Sequence, residues 1–175
     1  EAESGAAVRA CATGSDAEAL ERIRAAALSV MCAGRFLLSL GGEHTVTVPL
    51  ARAAGKAFGP LSVLQVDAHA DLRDTYQGTE YSHACAMRRL VDDGLRVAHT
   101  GIRSLCREEA RFIARRALPV IWARDAVAGP DEKWIAAALE ALGPRVYVTV
   151  DVDGLDPSLV PGTGTPEPGG LGWYP

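Results

Sequence analysis

The chain has little of what several common functions require. Its four cysteines, Cys11, Cys32, Cys85 and Cys106, form no C-x-x-C pair and no Cys/His spacing suited to a structural zinc. That usage fits reduced thiols in a cytoplasm better than a disulfide framework. There is no basic excess: 18 Lys and Arg stand against 22 Asp and Glu, a net charge of −4. A nucleic-acid phosphate surface is therefore not the expected partner. The basic pairs Arg88-Arg89 and Arg115-Arg116 read as solvated helix faces. No apolar run approaches the roughly 18 residues of a membrane span, and no signal-peptide pattern opens the sequence. A cytoplasmic protein with no membrane partner is expected.

What is present suits a globular domain. Hydrophobic residues make up 48% and charged residues 23% of 175 positions, enough to bury a sizeable core. Ser15-Asp-Ala-Glu18 reads as a capping box, predicting a helix to about Cys32. The apolar run Arg35 to Leu40 (RFLLSL), ending in Gly41-Gly42, predicts a buried strand. Further strands are predicted at Leu61 to Val66, Leu95 to Thr100, Pro119 to Trp122 and Arg145 to Val150. Helices are predicted at Thr45 to Ala54, Tyr81 to Val91, Glu108 to Arg116 and Asp131 to Leu142. Apolar strands alternating with helices predict a three-layer α/β/α architecture with a mostly parallel sheet. Pro157 to Gly172, rich in proline and glycine, reads as a shaped loop. Without repeats or a low-complexity linker, residues 1–175 read as one domain.

In an open parallel sheet, ligands gather beyond the carboxyl ends of the strands. Three of the predicted strands end in chemistry there: the first in Gly41-Gly42-Glu43-His44, the second in Asp67-Ala68-His69-Ala70-Asp71, the fifth in Asp151-Val152-Asp153. One aspartate at a strand end is more often a helix cap than a catalyst, and His99 is given no role. The D-x-H-x-D and D-x-D groups resist that reading, because period-two spacing sets alternate side chains on one side, toward one point. Four carboxylates gathered without compensation would force some to protonate. Two divalent cations roughly 3.5–4 Å apart remove that difficulty by sharing ligands. An oxygen-rich set with two imidazoles and no thiolate favours Mn²⁺ over a structural zinc.

The segments GGEHTVT, VDAHADLRD, YSHACAMRR and VTVDVDGLDPSLVPGTGTPEPGGL resemble, in order, the ureohydrolases, the arginase and agmatinase family. The resemblance runs from about Phe36 to Leu171. It implies that His44, Asp67, Asp71 and Asp151 hold one Mn²⁺. His69 and Asp153 would hold the second, with Asp67 and Asp151 bridging. The implied reaction is hydroxide attack on a guanidinium carbon, with Asp71 taking the proton and passing it to the departing amine. His83 is implied as a proton shuttle, and Thr165 as part of the pocket floor. Gly101-Ile102-Arg103-Ser104 is assigned structural support.

Within the family, Leu72-Arg73-Asp74 and His83-Ala84 stand where arginases carry an Asn and a His-Gly, so the sequence resembles agmatinases. The implied substrate is agmatine or a related small guanidino compound, and the implied assembly is a homotrimer or homohexamer. The resemblance also implies further segments at both ends, including a C-terminal strand whose glutamate pairs with the guanidinium. On that expectation the chain is a single incomplete ureohydrolase domain, and a non-catalytic metal-binding piece is the alternative.

Overall fold

A computed structural model describes residues 16–173. Its sheet has four parallel strands: β1 (Ser62–Val66), β2 (Arg96–Ile102), β3 (Val120–Trp122) and β4 (Val146–Val150), in the order β3-β2-β1-β4. The helices are α1 (Asp16–Cys32), α2 (Thr47–Phe58), α3 (Ala86–Asp92), α4 (Arg107–Arg116), α5 (Ala123–Ala128) and α6 (Asp131–Glu140). Single 3₁₀ turns at His44–Val46, His83–Cys85 and Val152–Gly154 lie at or near the site.

Alternation along the strands distributes the core to both faces of the sheet. Val63 and Val97 pack with Val48, Leu90 and Phe112 from α2, α3 and α4. The next residue of β1, Leu64, packs against Ile121, Ala126 and Ala138, which join β3 to α5 and α6. Helices thus cover both faces, the three-layer arrangement expected from the sequence. Helix α1 packs outside α2 through Ala27, Met31, Leu50 and Ala53.

Several boundaries differ from the sequence reading. Residues 35–40 form no strand in the described structure, and Phe36, Leu38 and Leu40 are 93%, 76% and 93% exposed. An apolar run becomes a strand only when another backbone pairs with it, and this run has no strand beside it among the described residues. The outer edge of β4 is likewise unpaired among the described residues, and Val148 and Val150 are exposed. Helix α2 runs past Gly55 to Phe58, and the helix expected from Tyr81 is a 3₁₀ turn followed by α3. Helix α5 was not expected; it follows β3 directly, with no side-chain cap to announce it. The predicted cap Ser15 lies outside the described residues.

Parallel register aligns the strand ends that build the site. Val66, at the end of β1, is level with Thr100 of β2 and Val150 of β4. The next residues stay in step: Asp67 N–H donates to the Thr100 carbonyl at 3.0 Å and Asp151 N–H to the Val66 carbonyl at 2.8 Å. Gly154 permits the closest approach of these loops, because a Cβ there would lie 2.9 Å from the Asp67 nitrogen.

Candidate metal centre

Each polar side chain at this edge is held by its own backbone context. Asp67 is 1% exposed; its Oδ1 accepts the His69 N–H at 2.7 Å and its Oδ2 accepts the Gln65 amide at 2.8 Å. Asp71 has left-handed backbone, φ 52°, unusual for a residue with a Cβ and a form of strain that collects at functional sites. Its peptide is pinned on both sides: the Asp71 carbonyl accepts from Arg88 N–H, and Leu72 N–H donates to the buried Glu109 carboxylate at 2.9 Å. His44 opens the first 3₁₀ turn, whose Thr45 N–H is capped by Glu43. Asp151 and Asp153 follow β4, with Asp151 accepting the Asp153 N–H at 3.2 Å.

These side chains form two overlapping trios, His44/Asp67/Asp71 and Asp67/His69/Asp153, with Asp67 in both. His44 Nδ1 lies 3.0 Å from Asp67 Oδ2 and 2.9 Å from Asp71 Oδ2. His69 Nδ1 lies 3.2 Å from Asp153 Oδ2 and 3.7 Å from Asp67 Oδ1. Asp151 stands beside the first trio, its Oδ2 3.6 Å from His44 Nδ1, without joining either. The D-x-H-x-D residues therefore do not face one point along an extended strand. The chain leaves the strand after Val66, bends at Ala68 and takes a left-handed backbone at Asp71, and His69 and Asp71 fall in different trios.

The donor set fits a pair of divalent cations. Carboxylates crowd a buried space, and His44 Nδ1, although close to two of them, is buried without a well-directed hydrogen bond. The other ring nitrogen, Nε2, is 2.9 Å from the Thr149 hydroxyl, itself 2.8 Å from that of Thr47. Donation of Nε2–H to Thr149 leaves the Nδ1 lone pair for a cation, the usual arrangement around a metal-bound histidine.

Charge in the metal-free site is balanced by protons. Burial disfavours a charged His44, but Asp67 and Asp71 outweigh it and raise its pKa to about 10. Asp153 and Asp67 likewise raise His69 to about 10. Burial, with the nearby Asp67 charge, raises Asp71 to about 7 despite His44. Burial raises Asp151 as well, with Asp67 and Asp153 adding to it. Asp67 itself is driven down: burial opposes its ionisation, but the two imidazoles prevail.

A cavity of about 310 Å³ opens over both trios. His83 and Thr165 line it, as do Tyr76 and Arg73. The half-exposed His83 ring meets Tyr76 edge-on at 5.5 Å and has Nδ1 3.6 Å from Glu43 Oε1. Thr165 donates to Asp153 Oδ2 at 2.9 Å. Several residues with structural work here had no signal in the sequence reading. Thr149 braces His44, Glu109 pins the strained Asp71 peptide, and Gln65 holds Asp67. Arg103 gathers backbone carbonyls from three segments, including those of Asp153 at 2.6 Å and Glu167 at 2.7 Å, and so clasps the 153–168 loop, consistent with structural support.

Residues 6–175 match the model of the arginase family. The chain belongs to the arginase family. It is 44% identical over 143 residues to an N(1)-aminopropylagmatine ureohydrolase of Synechocystis sp., covering 81% of this chain and 46% of that protein. It is also 44% identical to an agmatinase of Pyrococcus horikoshii, over 77% of this chain and 45% of that protein. Among solved structures, the agmatine ureohydrolase of Thermoplasma volcanium matches with a TM-score of 0.81 and 37% identity, covering 90% of this chain and 53% of that one. The chain thus has the arginase-like α/β fold and spans about half the length of these arginase-family relatives. None of its described helices is long and apolar enough to cross a membrane.

Proposed function

We propose that this chain carries the dinuclear manganese centre of a cytoplasmic ureohydrolase that cleaves agmatine, or a related guanidino amine, to urea and an amine such as putrescine. The observation that carries this reading is the pair of overlapping trios sharing Asp67 beneath one cavity. His44, Asp67, Asp71 and Asp151 would hold one ion; His69 and Asp153 would hold the other, with Asp67 and Asp151 shared. Bound Mn²⁺ ions supply Lewis acidity and a water activated near neutral pH.

The chain's own groups do the rest. The carboxylates lining the cavity favour a cationic guanidinium over an anionic ligand. Asp71, at the cavity wall, is suited to take a proton and return it to the departing amine. His83 at the half-exposed mouth is placed to relay protons to solvent, and Thr165 steadies Asp153 from the cavity side. Names among the relatives make N(1)-aminopropylagmatine the main rival to agmatine as substrate.

A second reading, a metal-binding protein without turnover, draws on the same ligand set. Metal analysis after Mn²⁺ loading should give about two ions per chain under both readings. Urea release from agmatine and from N(1)-aminopropylagmatine, with arginine as control, separates them. Asp151→Ala should lose metal and any activity. Release from arginine alone would overturn the agmatinase reading, and a chain that binds no Mn²⁺ would overturn both.

A further inference from the structure

Two polar side chains sit in the core with no part in the chemistry above. Gln65 and His99 are both 0% exposed and are cross-strand partners on β1 and β2. By alternation they share a sheet face with Val63 and Val97, where apolar side chains would pack without cost. Their polar atoms are directed instead toward the metal centre. Gln65 Oε1 lies 2.5 Å from His99 Nδ1, while Gln65 Nε2 lies 2.8 Å from Asp67 Oδ2 and 3.0 Å from the His69 carbonyl.

The partners settle the direction of each bond. A carboxylate and a carbonyl can only accept here, so the Gln65 NH₂ group donates both protons and its oxygen must accept from His99 Nδ1–H. Burial keeps His99 neutral, with its pKa lowered to about 4. Its Nε2 has no partner among the described residues, so the one directed bond of the ring is the one to Gln65.

Asp67 is the carboxylate both trios share, so its rotation decides whether they exist together. Its two oxygens are held from opposite ends, one by the His69 N–H and the other by Gln65. We propose that Gln65, oriented by His99, is a positioning residue for the dinuclear centre, locking the Asp67 carboxylate and the His69 backbone in the geometry that serves two cations. The proposal rests on the metal reading above. It assigns a task to a histidine that the sequence left without one.

The test is Mn²⁺ affinity and stoichiometry by calorimetry on the 175-residue chain and on three variants, with metal-free melting curves recorded alongside. Gln65→Met removes the donor at similar volume, and His99→Leu removes the group that orients it. Both should bind Mn²⁺ about 10- to 100-fold more weakly, the usual loss for an outer partner of a ligand. His99→Asn keeps an N–H near the Nδ1 position and should stay within about threefold of the parent. A purely structural role would lower the melting temperature of all three and leave affinity intact. If Gln65→Met does not fold, the Leu/Asn pair at position 99 decides the matter. Equal affinity for folded Gln65→Met and parent, or equal loss for His99→Asn and His99→Leu, overturns the proposal while leaving the metal reading standing. A parent chain that binds no Mn²⁺ overturns both.

Discussion

Loading the metal-free chain with Mn²⁺ should release protons, and the number should depend on pH in a specific way. His44 and His69 are held protonated to about pH 10 by the carboxylates around them. A cation needs both rings neutral, so each must give up its proton on binding. At pH 8 the two rings contribute about two protons per fully loaded chain, and any proton lost by metal-bound water adds to them. At pH 6 Asp71, with its pKa near 7, is also mostly protonated and adds about one more. Stripping His44 at pH 8, some two units below its pKa of about 10, costs about 3 kcal/mol; the partly exposed His69 costs less because water screens it. Calorimetry in two buffers of different ionisation enthalpy counts the protons directly. The loading constant should also rise about 100-fold per pH unit between pH 7.5 and 9.5, two protons competing throughout. A release near zero, or one unchanged between pH 6 and pH 8, would refute this account of the site.

Three further outcomes follow from the same geometry. The metal-free chain should lose stability as pH rises from about 6.5 to 10: a raised histidine pKa stabilises in full below the unfolded value and that contribution disappears through the folded one, so the melting temperature should fall, and less so with Mn²⁺ bound. Asp153→Ala removes one member of the second trio only and should leave about one Mn²⁺ per chain by metal analysis, with His44, Asp67 and Asp71 intact. Gly154→Ala places a methyl 2.9 Å from the Asp67 nitrogen; backbone must shift, costing about 1–3 kcal/mol in denaturant melts and weakening Mn²⁺ binding together.

Most of the sheet was legible because buried parallel strands are continuous apolar runs, and four such runs became β1 to β4. Residues 35–40 read the same way and are not a strand, since pairing depends on what lies alongside rather than on the run itself. The D-x-H-x-D spacing was read as a regular strand that would align all three, whereas the bend at Ala68 and the left-handed Asp71 accompany their division into two trios. His44 and Asp153 were reachable only because strand ends converge, a property of topology rather than of spacing. Gln65, His99, Thr149 and Glu109 carried no local signal at all. A buried glutamine in an apolar strand is indistinguishable in sequence from a surface one until the strand beside it supplies His99.

The position of the sheet's strands bears on how the site opens. Among the described strands β1 and β2 are hydrogen-bonded on both sides and β4 on one, so the amides of β1 and β2 should be the last to exchange with solvent and those of β4 among the first. Asp67 leaves the protected strand while Asp151 and Asp153 leave the edge, which divides the trios between two regions of unequal local stability. A cation held between them would act as a rivet from centre to margin. Its signature would be slowed exchange along residues 146–150 with little change along 62–66, so the edge of the sheet would report occupancy more sensitively than its middle.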